Sequence, residues 1–317
     1  MEPRRIIKFG NSSYVISIPK EWIKENQIKK GDLIFLDTSP DGELIIKPKE
    51  NQNKEEPRQV TMDISKRDFW SIKRELNFFY IDDFDLIILK GAHPERDKIE
   101  NVIKKMIGSQ IIENSNELLI IKNILDLESI TIKDIFRRTD NLIRSMFMEL
   151  KEGFEKEKVS SESLKSIYQT DLEINSLYFL LMKIIRKGLK DRQFSKKINK
   201  EPLELNYLHH LILNIEIIGD HIKRIAKTMN IHTSKSKNIK EIQKILEMTE
   251  KTYEETMISY YTNNQEIARK VAEETREIKL RAEEMIKNEK SASIGSIIEH
   301  LKDIANRLHF ISKILAY

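Results

Sequence analysis

The sequence predicts a multi-domain α plus β protein: a small N-terminal β unit, a central α+β sandwich, and tandem three-helix bundles at the C-terminus. Three observations carry this expectation. Short stretches before residue 125 alternate apolar and polar positions on the two-residue period of strands. Beyond about residue 130 that alternation gives way to apolar residues spaced by three and four. Two of the helical stretches carry one and the same seam: Leu208, Leu211, Ile215, Ile218, Ile222, Ile225 and Met229 recur, 86 positions later, as Ile294, Ile297, Leu301, Ile304, Leu308, Ile311 and Leu315. Such a 3,4 repeat is coiled-coil-like packing, and its recurrence marks a duplicated bundle.

In residues 1–50, strands are expected at YVISI (14–18), LIFLD (33–37) and LIIKP (44–48). Between the first two, Pro19 suits the first turn of a short helix and Gly31-Asp32 turns the chain back. PDGE (40–43) is a hairpin turn, because Asp41 and Gly42 tolerate positive φ. Some fifty residues cannot bury enough surface alone, so this unit should dimerise. ENQNKEEPR (50–58) is charged, free of apolar residues and closed by a proline, as linkers are.

The central unit, 59–127, reads strand (VTMDI), helix (FWSIKRELNFFYI), strand (DLIILKG), helix (DKIENVIKKMIG, 97–108) and hairpin (SQIIENSNELLIIK). One helical layer over a sheet follows from that order. It has no glycine-rich phosphate loop; Gly91 and Gly108 stand singly at element ends, where they read as turns. Helices are then expected at 131–157, 160–190, 201–229, 238–262, 264–288 and 291–316, which groups them as bundles over 130–230 and 236–317.

Composition excludes several functions. The 317 residues contain no cysteine, which removes disulfides, thiolate nucleophiles and cysteine-ligated metals and leaves oxygen or imidazole ligands. The opening MEPRRIIKFG has no apolar signal segment, and no run of about eighteen apolar residues occurs, so a cytoplasmic protein without membrane insertion is expected. A net charge of +4 is mild for this length, so nucleic-acid binding needs a local patch. No paired nucleophile and base is recognisable, and a non-enzymatic protein is expected.

The candidate site lies on the helices. Glu216 and Asp220 stand one turn apart beside the third helix's seam and can converge on one point. The second helix runs Leu164, Ile167, Asp171, Ile174, Tyr178, Leu181, Ile185, which places Asp171 where an apolar residue belongs. A buried carboxylate needs a cation, a donor or a proton. A hard divalent ion would serve, and so would Arg224, four residues after Asp220, or a lysine of the bundle. His221, His209 and His210 are nearby without being forced inward, and a lone helical histidine is commonly solvated. The second bundle has Lys302 and Asn306 where the first has Glu216 and Asp220, with Thr275 set opposite the old Asp171, so it retains no acidic site.

EIIGDHIKRIAK resembles the E-x-x-x-D signature of the PhoU family, HLKDIANRLHFI (300–311) looks like an eroded second copy, and DLEIN (171–175) is similar to the family's acidic second-helix motif. That resemblance, over about 130–317, implies a non-enzymatic regulator of phosphate uptake whose Asp171, Glu216 and Asp220 hold a divalent or ferric metal ion. Arg224, where asparagine is frequent, together with Lys302 and Asn306, leaves one metal site or none. KFGNSSYVISIPKEWIKENQIKKGDLIFL with the closing GELIIKP resembles the AbrB/MazE/SpoVT swapped-hairpin DNA-binding domain, with NSSY inserted after Gly10. It implies a homodimer whose two chains interleave into one β-barrel on double-stranded DNA. Together the two look like an archaeal phosphate-uptake regulator.

Residues 1–30 hold seven basic residues against three acids, whereas 31–50 net −3. Under the DNA reading Arg4, Arg5, Lys8 and Lys20 would meet phosphates, with Asn11 and Ser12 near base edges or phosphates. Lys24, Lys29 and Lys30 read equally as a solvated helix face. A second function class is an accessory that binds a phosphate transporter or a signalling protein such as a sensor kinase and uses the barrel only to dimerise. A labile antitoxin is a third, against which the long folded C-terminus argues.

Overall fold

The computed structural model describes residues 3–38, 42–48, 57–231 and 239–316 and separates into two compact units, 1–56 and 57–317. Pro40 and Asp41 of the expected turn, and most of the expected linker 50–58, lie outside the described residues.

In the first unit, β1 (Ile7–Phe9) pairs antiparallel with β2 (Ser13–Val15), α1 spans Lys20–Glu25, and β3 (Phe35–Thr38) pairs with β4 (Leu44–Lys47). Gly10 opens the β1–β2 turn at φ +70°, a left-handed conformation that glycine adopts without strain. The strand expected at 14–18 is shorter and begins one residue earlier. Strands persist only where a neighbour accepts their hydrogen bonds, and β1, which sequence reasoning missed, offers three residues. No described residue of this unit is buried: Ile7, Phe9, Tyr14, Leu33, Leu36 and Leu44 are all exposed.

The second unit begins with β5 (Gln59–Asp63), α2 (Phe69–Ile81), β6 (Leu86–Lys90), α3 (Arg96–Ile103), β7 (Ser109–Asn114) and β8 (Leu118–Asn123). The sheet runs β5-β6-β8-β7, parallel where α2 makes the crossover and antiparallel elsewhere. Asp68 caps α2 by accepting the Ser71 amide at 2.9 Å. Ile72, Leu76 and Tyr80 are the inward stripe of that helix, packed in one core with Leu89, Leu119 and Ile121 of the strands. The helix expected over 97–108 ends at Ile103, and the chain turns through to Gly108, whose φ is +79°.

A 3₁₀ turn (Leu127–Ser129) leads into α4 (Ile132–Glu155), α5 (Ser161–Lys190), α6 (Arg192–Lys197), α7 (Pro202–Ile231), α8 (Ile239–Thr262), α9 (Gln265–Asn288) and α10 (Ala292–Leu315). The short α6 was not expected. Its only large apolar residue, Phe194, is buried, and Asp191 caps it through the amides of Gln193 and Phe194. Both seams are buried as their spacing predicts, down to the partly buried Leu315, and a single core joins the two bundles.

The β layer is fastened to α5. Asp82 pairs with Arg58 at 2.9 Å, Arg186 at 2.6 Å and Lys190, while Asp83 takes Lys183 at 3.1 Å and Lys187 at 2.8 Å. Burial would raise the Asp82 carboxyl, but Lys190, Arg58 and Arg186 outweigh it and hold the group at about 2. Lys183 is fully buried, its ammonium over the Tyr80 ring at 4.6 Å, and Phe179 of the same helix enters the core beneath the sheet. A buried ammonium without Asp83 would be strongly destabilising. Among the described residues no helix is long and apolar enough to cross a membrane.

Candidate functional site

The acidic residues meet where α5 packs against α7. Asp171 is buried on the α5 seam, and Asp220 comes from the flank of α7. Between them stands Lys223, whose Nζ donates to Asp171 Oδ2 at 2.7 Å and to Asp220 Oδ1 at 2.5 Å. Asn175 donates to Asp171 Oδ2 at 3.3 Å, and the Tyr168 ring centre lies 5.9 Å from the ammonium. The counter-charge is therefore a lysine of the bundle. Arg224, at 3.9 Å from Asp220 and mostly exposed, is a minor partner.

Electrostatics follow from this placement. Burial, then the charges of Asp220 and Asp171, push the Glu216 carboxyl up to about 7. Burial and Asp220 drive Asp171 upward against the pull of Lys223. Burial would lower Lys223, yet its two ion pairs carry it above the usual lysine value. A divalent or ferric ion fits the trio only where Lys223 gives up its place, because the ammonium already holds the oxygens such an ion would need. Among the described residues, the group of three histidine and carboxylate side chains whose ligand atoms all lie within 4.8 Å of one another is instead His221, His300 and Asp303.

The second bundle repeats this crossing without charge. Under the 86-residue shift Lys223 becomes His309, and His309 Nδ1 lies 3.0 Å from the hydroxyl of the buried Thr275. Lys302, in place of Glu216, pairs with Glu299 of its own helix at 2.8 Å.

His221, left as a solvated residue by sequence reasoning, is buried, and its Nδ1 is 3.1 Å from Nδ1 of His300. The partner is 79 residues away on α10, so no local signal could have found it. His209 and His210 stack at 5.5 Å and do not join that pair. In the N-terminal unit Arg4 and Arg5 precede β1, Lys8 is in β1, Asn11 and Ser12 form the β1–β2 turn, and Lys20 starts α1; all six are exposed.

Residues 7–53 match the family model described as antidote-toxin recognition MazE, bacterial antitoxin, and residues 136–229 match that of the PhoU domain. The PhoU match takes in α4 to α7 and the acidic site, while the β layer and the second bundle lie outside both matches. Searches of curated proteins and of solved structures return no match. A MazE/AbrB-like segment joined to a PhoU domain supports a regulatory protein of phosphate homeostasis.

Proposed function

We propose that the chain is a homodimeric, non-enzymatic, cytoplasmic transcription regulator. Its N-terminal units interleave into one barrel on double-stranded DNA, and its PhoU bundles act as the sensory or interaction module. The observation that carries this reading is the absence of any buried residue among those described in 3–48. A segment with strands, a helix and ten large exposed apolar side chains among its described residues has the surface of half a core. A second copy of itself is the partner whose apolar surface matches by construction.

The charge supports DNA as the ligand. Seven basic residues crowd 1–30, and dimerisation doubles that number on one body. Neutralising about six phosphates would make affinity fall about a thousandfold between 50 and 200 mM salt. The test is a salt titration of binding to promoter fragments, alongside light scattering for the dimer. Arg4→Ala with Arg5→Ala should weaken binding to all sequences and flatten the salt slope by about two. Absence of binding at low salt in an intact dimer would overturn the DNA reading and assign the barrel to dimerisation alone, as in an accessory of a transporter or kinase.

A further inference from the structure

We propose that His221, His300 and Asp303 form a binding site for a divalent first-row transition ion of the zinc type, at the crossing of α7 and α10 and separate from the acidic trio on α5 and α7. His300 and Asp303 are one turn apart on α10, so their side chains share a face, and His221 reaches them from α7. Two imidazole nitrogens about 2.05 Å from a tetrahedral zinc ion stand about 3.3 Å apart. The two Nδ1 atoms stand at 3.1 Å. All three ligand atoms fall within 4.8 Å of one another, so one ion can touch them together.

The donor set decides the class of ion. Two imidazoles and one carboxylate suit zinc, cobalt, nickel or copper and are poor ligands for magnesium or calcium, which take oxygen. Burial holds both imidazoles below their ordinary value, His221 at about 4, and an ion would take the place of the single proton that the two facing Nδ1 atoms share. Asp303 supplies the negative charge. Arg224 and Arg307 act on the pair with positive charge and weaken a cation's hold, which places this site among modest binders. His300 also lines an open cavity of about 550 Å³ with Arg224, Lys227, Thr228 and Ser296, which gives an ion access to that imidazole.

The duplicated scaffold does not require this arrangement. The positions related to His300, His221 and Asp303 by the 86-residue shift are Asn214, Arg307 and Ile217, an amide, a cation and an alkyl chain, which together lack that donor set. The histidine pair is an addition on one side of an otherwise repeated crossing.

The test is titration of the metal-stripped full-length chain with cobalt(II) and then zinc chloride. The expected result is one ion per chain, with a visible cobalt band of low-coordinate type that zinc abolishes and magnesium does not. His300→Gln, which keeps a hydrogen-bonding group beside His221, and Asp303→Asn should each weaken binding about a hundredfold without lowering the melting temperature of the metal-free chain. Glu216→Gln should leave the affinity unchanged. The proposal is overturned if the wild-type chain takes up no ion, which would leave a plain hydrogen bond between two neutral imidazoles. It also fails if both α10 variants bind as the wild type does, or if Glu216→Gln removes the ion.

Discussion

The two bundles share a backbone plan and a seam, yet they treat the same polar crossing in opposite ways. In the first, a buried aspartate on α5 meets a lysine on α7, with Asp220 and Glu216 alongside. In the second, Thr275 on α9 meets His309 on α10 without any formal charge. Since the second bundle buries its own seam without them, the charges of the first are not a packing requirement. Buried charge is costly, and a copy of the same fold shows how it can be avoided. The first bundle thus bears the cost of a buried ion pair at a position where its copy uses a neutral one.

The sharpest way to break this comparison is Lys223→Met. It leaves Asp171 buried beside Asp220 with no counter-ion and should cost about 3 kcal/mol in urea unfolding at pH 7. Adding Asp171→Leu makes the crossing apolar like the rest of the α5 seam and should recover most of that loss. If the single variant unfolds no earlier than the wild type, the lysine is not what holds the acids.

Next in size is a pH effect. The folded-state pKa of Glu216, about 7, lies above its ordinary 4.5, so the folded chain holds that proton more tightly. Its contribution is complete below about pH 4.5 and is lost as pH rises through 7. The full shift corresponds to about 3 kcal/mol, and partial exposure reduces it to about 2. Glu216→Gln should therefore gain about 2 kcal/mol over the wild type at pH 8.5 and little at pH 4.5. The smallest effect belongs to the second bundle: Thr275→Val removes one hydroxyl from a neutral pair and should cost about 1 kcal/mol, with no dependence on pH between 7 and 9.

Elements governed by local periodicity were legible. Both seams, the six long helices and the order of the β layer follow from spacing alone, because every seam position answers to its own helix. Asp171 was legible for the same reason, as a charge in an apolar register. Lys223 was not singled out: it follows Asp220 by three residues, as Arg224 follows by four, and only the packing of α7 on α5 decides which ammonium or guanidinium reaches Asp171. The His221–His300 contact depends wholly on how α7 crosses α10, which no spacing within one helix reports. The three-residue β1 is too short for its alternation to register, and α6 offers one large apolar residue among polar neighbours.

Helix α5 does two jobs along its length. A third of the way along it holds Asp171 against Lys223, and about 18 Å further on, at 1.5 Å per residue, begins the Lys183, Arg186, Lys187 and Lys190 row clasped by Asp82 and Asp83. One continuous rod thus bears on the acidic trio and on the sheet together. A tilt or slide of that rod at the carboxylates would strain the Asp82 and Asp83 clasp at its other end.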